Sequence, residues 1–165
     1  FLKSYIFRLM HLYMVLRMDL PGKKTDFAGA MIESREGKFV FQLRDNSPNI
    51  PNPNKWSLFG GGIKVSESPE EALIRELREE LSVHITKNDI KEKFKIPGLN
   101  KTYYIYRIRL DNKISRTPLH EGKELGYYTM FQMIRKKNVV LFLRIFLLVY
   151  SMSAARKLMS LMYKK

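Results

Sequence analysis

Residues 61–83 decide the fold of this chain and read Gly-Gly-Ile-Lys-Val-Ser-Glu-Ser-Pro-Glu-Glu-Ala-Leu-Ile-Arg-Glu-Leu-Arg-Glu-Glu-Leu-Ser-Val. Ser68 is a good helix N-cap, Pro69 suits the first helical position, and Glu71 completes a capping box three residues after the cap. An apolar stripe with helical periodicity follows, at Leu73, Leu77 and Leu81. The second half of the stretch is therefore predicted to be an amphipathic helix.

The same helix carries a cluster of carboxylates on another face, at Glu76, Glu79 and Glu80. Spacings of three and four place them together, where like charges repel, and the simplest interpretation is a solvated acidic face. Two neighbouring features favour a metal site instead. The run Gly60-Gly61-Gly62 can approach a ligand closely, and Arg75 can hold Glu76 in place. Hard divalent cations such as Mg²⁺ prefer oxygen ligands, which converging carboxylates provide.

This stretch resembles the Nudix box, Gly-x5-Glu-x7-Arg-Glu-U-x-Glu-Glu-x-Gly-U, in which U is a bulky aliphatic residue. The positions in register are Gly61, Glu67, Arg75, Glu76, Leu77, Glu79, Glu80 and Val83. Ser82 departs from the pattern, because the family has glycine there. That glycine ends the helix in a left-handed conformation, which serine adopts only at a cost. The departure removes no catalytic group.

The resemblance implies an α/β fold, a Nudix-type α/β/α sandwich with a mixed central sheet and a loop-helix-loop catalytic motif. It implies a pyrophosphohydrolase in which water attacks the phosphorus of a nucleoside diphosphate linked to another moiety. It also implies a cofactor, Mg²⁺ or Mn²⁺, held by Glu76, Glu79 and Glu80 with a backbone carbonyl near Gly61. Arg75 would orient Glu76, and the structural part of the box would comprise Glu67, Gly60 and Gly62.

Residues outside the box complete the predicted site. In the family a glutamate after the box often completes the metal site or acts as the base, and Glu121 is the best candidate here, followed by Glu124. One of the box glutamates is the alternative base. Arg44 and Trp56 are candidate substrate contacts that precede the box. For Trp56 a place in the core is the competing interpretation, and for Arg44 a surface salt bridge.

The 165 residues suit one domain with flanking segments. We expect a basic, apolar N-terminal segment and linker at 1–25, the catalytic domain at 26–137, and a basic C-terminal helix packed on it at 138–165. The N-terminal segment is interpreted as a helix on the domain, with a membrane-surface helix as the alternative. Strands are expected at 27–33, 38–44, 102–110 and 125–130, and the charged run 89–95 is expected at the surface.

The composition limits the partners. A formal net charge of +14 favours polyanions, namely nucleotides, nucleic acid or acidic membrane surfaces, although solubility alone can explain it. The chain has no cysteine, which excludes disulfides and thiolate metal sites and fits a reducing, cytoplasmic location.

Two other functions stay open at this point. One is a non-catalytic Nudix-fold module that binds nucleotides or RNA, and the intact carboxylates argue against it. The other is peripheral association of the basic ends with RNA or membrane, with or without catalysis. Nucleotide sugars, ADP-ribose, modified nucleoside triphosphates and dinucleoside polyphosphates all remain candidate substrates. Dimers are common in the family, and no residue here decides between a monomer and a homodimer.

Overall fold

A computed structural model describes residues 25–98, 100–110, 114 and 118–162, with side chains described up to residue 155. In this part of the chain the elements are β1 (Phe27–Glu33), β2 (Phe39–Leu43), β3 (Trp56–Ser57), β4 (Phe59–Gly62), α1 (Pro69–Leu81), a 3-10 turn (Lys87–Asp89), β5 (Ile90–Pro97), β6 (Thr102–Arg109), β7 (Glu124–Tyr128), α2 (Met130–Arg135) and α3 (Leu141–Met162). The helix predicted near the N-terminus lies outside the described residues.

The seven strands found in the described residues form one mixed sheet. Its order is β3-β2-β1-β6-β5, with β4 paired to β1 and β7 paired to β2. The β1–β6 pair is parallel, and the other pairs are antiparallel. Strand β1 is central, and its Gly29 lies opposite Gly60 of β4. A side chain at Gly60 would overlap the Ala28 backbone, so the two backbones can approach this closely only because Gly60 is glycine.

Helices cover both faces of this sheet. On one face, the predicted stripe of α1 is confirmed, since Leu73, Leu77 and Leu81 are fully buried against β1 and β6. On the other face, α2 and α3 pack against the opposite side of the same strands, through Met133, Leu143, Phe146 and Leu147. The two separate apolar cores confirm the predicted α/β/α sandwich.

Three of the four predicted strands match the structure closely. Strand β1 has the predicted bounds, β2 lies within 38–44, and β6 lies within 102–110. The alternation predicted along β6 is also confirmed, because Tyr106 and Ile108 face α1 while Tyr103 and Ile105 face α3. The fourth differs at its end. Strand β7 stops at Tyr128 because the Thr129 side chain accepts a hydrogen bond from Gln132 N and caps α2.

The charged run 89–95 is at the surface, as predicted, but most of it is an edge strand that the sequence analysis did not predict. In β5 the side chains of Lys91, Lys93 and Lys95 point to solvent, while Phe94 and Ile96 face the α3 core. Lysines on the solvent side of an edge strand oppose pairing with a second sheet. The strand is hard to recognise in the sequence because an edge strand carries charged side chains on its solvent side, and these charges hide its apolar pattern.

Helix α3 is rich in apolar residues, although Arg144 interrupts its first turns. Within the described residues, none of the helices combines the length and the apolar character that crossing a membrane requires. Arg144 lies inside the first turns of α3, where its guanidinium donates hydrogen bonds to the carbonyl oxygens of Ile134 (3.0 Å) and Lys136 (2.9 Å). This contact joins α3 to the end of α2.

Candidate active site

Helix α1 begins as its sequence predicts. The Ser68 hydroxyl accepts a hydrogen bond from Glu71 N (3.3 Å), and the Glu71 carboxylate accepts one from Ser68 N (2.8 Å). These bonds satisfy two of the free N–H groups at the helix start. At the other end Ser82 has φ 52° and ψ 26°, the left-handed conformation expected at the position of the family's glycine. The helix is therefore defined at both ends by local chemistry.

Glu80 is the most deeply buried carboxylate of the site, with 3% of its surface exposed. Its Oε1 accepts a hydrogen bond from Gln42 Nε2 (3.0 Å), and its Oε2 accepts one from Gly60 N (2.8 Å). Gln42 is itself fixed, because Nε2 also donates to Leu58 O (3.1 Å). Burial raises the pKa of Glu80 to about 8 despite these two donors.

Gln42 is a site residue that the sequence analysis missed. It lies within the predicted strand 38–44, and no motif spacing connects it to the box. The available signal was weak: a polar amide on a strand whose neighbours Val40 and Phe41 are core residues. A buried amide needs hydrogen-bond partners, and here the partner is the box carboxylate Glu80.

Arg75 gathers the remaining acidic side chains of the box. Its Nε and Nη2 donate to the two oxygens of Glu67 (2.6 and 3.0 Å). Its Nη1 donates to Glu76 Oε1 (2.7 Å) and to Glu79 Oε2 (3.1 Å), and Nη2 also donates to Gly62 O (3.0 Å). A planar guanidinium can make all these contacts at once, which an ammonium group cannot do. Arg75 therefore joins the loop before the helix to the helix itself.

The two carboxylates nearest Arg75 titrate differently. Hydrogen bonds from the Arg75 guanidinium and then from Lys64 N lower the pKa of Glu67 to about 2. Burial raises the pKa of Glu76, and this effect outweighs its bond with Arg75. Glu67 is therefore a fixed anion of the loop, whereas Glu76 is a desolvated carboxylate at the edge of a cavity.

Gly61 allows Glu76 to reach that position. A Cβ added to Gly61 would overlap the Glu76 carboxylate and would stand 2.6 Å from its Cδ. The Glu76 side chain thus packs directly against the β4 backbone, in space that any larger residue at position 61 would fill. The same strand presents Gly60 N to Glu80. Strand β4 consequently contacts both buried carboxylates through its backbone.

A cavity of about 720 Å³ opens over this strand. Its acidic side is formed by Glu76, Glu80 and Glu121. Basic side chains line it at Arg44, Lys55 and Lys101. An apolar wall comes from Tyr103, from Val139 and Val140 just before α3, and from Leu141 and Phe142 at its start. Glu121 lies 41 residues after Glu80 in the chain, so only the folded chain brings these carboxylates together.

The cavity brings together seven of the predicted site residues. Gly60, Gly61, Gly62, Glu76, Glu80, Glu121 and Arg44 line the cavity. Arg44 is held at its rim, because Nε donates to Pro51 O (2.9 Å). Glu79 is 47% exposed and turns toward Arg75, and Glu124 lies in the exposed first position of β7. Neither of these last two side chains is among the described residues that line the cavity.

Trp56 lies in the apolar core between the sheet and α3, which is the competing interpretation given for it from the sequence. It is 5% exposed, and its ring packs edge-on against Tyr128 with the centroids 5.2 Å apart. The Lys136 ammonium stands over the Trp56 ring at 4.9 Å. The sheet therefore turns the Trp56 side chain into the core that it shares with Met133 and Leu143, and Trp56 is not among the described residues that line the cavity.

The donor chemistry of the cavity fits a hard divalent cation, although the side chains are not arranged as a ready cage. No group of three or more His, Cys, Asp or Glu side chains in the described part of the chain is positioned to hold a metal ion. Burial and the repulsion of neighbouring carboxylates, including Glu121, raise the pKa of both Glu76 and Glu80. A divalent cation would bind these carboxylate oxygens as ligands and would neutralise the negative charge that accumulates when they ionise.

Two known proteins that match parts of this chain are named as a pyrophosphohydrolase and a nucleoside triphosphatase. A segment of 66 residues is 38% identical to an RNA pyrophosphohydrolase from Gluconacetobacter diazotrophicus, and covers 38% of this chain and 38% of that protein. A segment of 38 residues is 50% identical to the nucleoside triphosphatase NudI from Salmonella arizonae, and covers 23% of this chain and 27% of that protein. The chain thus spans well under half of the length of either relative.

Solved structures match over a much larger part of the chain. A MutT protein from Methanosarcina mazei Go1 superposes with a TM-score of 0.66 at 20% identity, over 82% of this chain and 99% of that one. A C. elegans Ap4A hydrolase superposes with a TM-score of 0.58 at 21% identity, over 80% of this chain and 98% of that one. The family model described as NUDIX domain matches residues 23–143. With this match over most of its length, the chain belongs to the NUDIX domain family.

Proposed function

We propose that this chain hydrolyses a nucleoside diphosphate linked to another moiety, with Mg²⁺ or Mn²⁺ as its cofactor. The observation that carries this proposal is the meeting of Glu76 and Glu80, from one helix, with Glu121, from a distant loop, in one cavity. Basic side chains at Arg44 and Lys55 line the same cavity and suit a phosphate chain. The arrangement combines oxygen ligands, a candidate base and cationic contacts around one volume.

The cofactor would be held by Glu76, Glu79 and Glu80 with a backbone carbonyl near Gly61. When bound, it would supply Lewis acidity and neutralise charge on the phosphates. Arg75 would hold Glu76 and Glu79 together at one end of the site. Gln42 and the Gly60 N–H would keep the Glu80 carboxylate in its orientation, since each donates to one of its oxygens.

The reaction proceeds by attack of water on a phosphorus of the diphosphate. As the water oxygen bonds to phosphorus, its proton passes to the Glu121 carboxylate, and the bridging P–O bond breaks to release the second phosphate product. Glu121 is exposed on the cavity and so can reach both water and substrate. Arg44 and Lys55 contact the phosphates, and the apolar wall at the start of α3 holds the non-phosphate part of the substrate.

The names of the relatives guide the choice of substrates. They include an RNA pyrophosphohydrolase, a nucleoside triphosphatase and an Ap4A hydrolase. The panel should therefore hold 5′-triphosphorylated RNA, nucleoside triphosphates and Ap4A beside nucleotide sugars and ADP-ribose. We expect a nucleotide-type small molecule as the partner, in the reducing cytoplasm that the absence of cysteine fits.

The deciding experiment measures phosphate or nucleotide release from this panel with Mg²⁺, with Mn²⁺ and with EDTA. We expect metal-dependent turnover that falls by at least about 100-fold in Glu80→Gln, because the substitution removes a charged ligand. Glu79→Gln should also reduce turnover. The matched control is Glu70→Gln in the same helix, since Glu70 pairs with Lys93 (2.8 Å) away from the cavity, and it should keep wild-type activity.

A folded wild-type protein that binds Mn²⁺ in calorimetry, yet releases nothing from any compound, would contradict the hydrolase. That outcome would favour the non-catalytic nucleotide- or RNA-binding module. At present the intact box carboxylates make this second function the weaker explanation.

A further inference from the structure

Ser82 makes a contact that glycine cannot make. Its Oγ lies 2.8 Å from Nε2 of His120, and the backbone N–H of His120 donates to Glu80 O (2.9 Å). Two bonds thus connect the end of α1 to the residue that immediately precedes Glu121. The left-handed backbone of Ser82 is costly for a residue with a side chain, so the hydroxyl is present despite a conformation that favours glycine.

The loop is anchored on the other side of Glu121 as well. The N–H of Gly122 donates to Asp45 Oδ2 (3.1 Å), and Lys123 N donates to Leu43 O (2.8 Å). Gly122 has φ +93° and lies so close to β2 that an added Cβ would stand 3.0 Å from Gln42 Oε1. Glu121 is therefore held between two fixed residues, and the anchor on its N-terminal side depends on His120.

We propose that Ser82 and His120 are a positioning pair that holds Glu121 at the cavity opposite Glu76 and Glu80. The role of this pair rests on the proposed function, in which Glu121 accepts the proton of the attacking water. Neither side chain lines the cavity, so the pair acts through the backbone of the loop and not on the substrate. A misplaced base lowers the rate of proton transfer without weakening substrate binding.

The activity test compares Ser82→Gly, His120→Ala and the double variant, with His84→Ala as the control for loss of an exposed histidine nearby. We expect kcat to fall about three- to tenfold in each single variant, the range that one exposed hydrogen bond supports, with KM within about twofold of wild type. The double variant should be no slower than the slower single variant, because both remove the same contact. His120→Gln, which can still reach Ser82 with its amide, should recover most of the activity.

Ser82→Gly also separates positioning from simple stabilisation of the fold. Glycine relieves the left-handed backbone, so the thermal midpoint should rise or stay level while kcat falls. A cap that only stabilised the fold would lower both together. Unchanged kcat in Ser82→Gly, with wild-type KM, would overturn the pair.

A second measurement does not depend on catalysis. Hydrogen exchange at the His120 amide, which donates to Glu80 O, should become faster in Ser82→Gly, while the Gly122 amide, anchored by Asp45, serves as the internal reference. Unchanged protection at His120 would overturn the proposal whatever the activity shows. If the wild type hydrolyses nothing in the panel, the proposed function fails, and this exchange measurement alone decides whether the pair holds the loop.

Discussion

Hydrogen bonding and burial have opposite effects on the ionisation of the Glu80 carboxyl group. Two N–H donors favour the ionised form of Glu80, whereas burial at 3% exposure favours its neutral form. Burial wins and raises the pKa of Glu80 to about 8. Gln42 and the Gly60 N–H therefore fix the orientation of the Glu80 carboxyl group in a place where burial disfavours its charge.

Stability of the metal-free protein should depend on Glu80. Its ordinary pKa is 4.5 and its folded pKa about 8, so the folded state binds this proton more tightly than the unfolded state. This stabilisation is complete below pH 4.5 and is lost as the pH rises through 8. We expect the Glu80 contribution to the free energy of unfolding to fall by on the order of 3 kcal/mol between pH 5 and 8.

Urea denaturation in EDTA at several pH values measures this effect, with Glu80→Gln as the comparison. The variant cannot titrate at this position, so its stability should decline less between pH 5 and 8 than that of the wild type. Parallel pH profiles for the two proteins would show that Glu80 is already ionised at neutral pH.

A methyl group at Gly61 should disable the site without unfolding the protein. Because the added Cβ would overlap the Glu76 carboxylate, Gly61→Ala should displace that side chain and lower kcat/KM by about 10- to 100-fold. Gly62→Ala is the matched control in the same strand, since its Cβ meets only the Thr25 side chain, at 3.2 Å. Equal activity of the two variants would contradict the role of Gly61.

At the scale of one element, α1 works as a rigid support for the carboxylates. Its leucine stripe is fully buried, which fixes the rotation of the helix, and this rotation sends Glu76 and Glu80 toward β4. Its start is fixed by the Ser68–Glu71 capping box. The orientation of Glu76 and Glu80 thus depends on contacts made by other residues of the helix.

Ser68→Ala should destabilise the protein by about 1 kcal/mol, because it removes the side-chain acceptor for Glu71 N. Ser66→Ala is the matched control, since Ser66 is exposed and lies outside the capping box. Chemical denaturation of both variants measures the difference. The same loss of stability in the two proteins would show that the cap is not responsible.

At the scale of the whole molecule, α3 serves both the core and the cavity. Leu143, Phe146 and Leu147 are buried against the sheet, and the first residues of α3 line the cavity beside the carboxylates. The family match also continues to residue 143. The start of α3 therefore packs together with the box in one folded unit, and the division of the chain at residue 137 stays a prediction.

Two neighbouring leucines test how far α3 supports the fold. Leu147 is fully buried and Leu148 is 42% exposed. We expect Leu147→Ala to cost about 3 kcal/mol through the lost contacts and the cavity it leaves, and Leu148→Ala to cost less than about 1 kcal/mol. Urea denaturation measures both values. Similar small losses of stability in the two variants would mean that the packing of α3 contributes little to the stability of the fold.

Features that depend on neighbours in the chain could be predicted from the sequence alone. The capping box at Ser68, the leucine stripe and the clustered carboxylates all involve residues within one or two helical turns. Helix periodicity and backbone sterics decide such features wherever the helix lies. The two faces of β6 could be predicted for the same reason, because successive side chains along a strand point to opposite sides of the sheet.

Only the tertiary structure decided which distant residues meet. Gln42 reaches Glu80 across 38 residues of sequence, Glu121 joins them from a later loop, and Trp56 turns into the core. These meetings depend on strand order and on which face of the sheet each strand presents, and neither is encoded in the spacing of a short motif. The sequence by itself therefore determined the helix and its carboxylates, whereas the packing of the sheet determined their environment and partners.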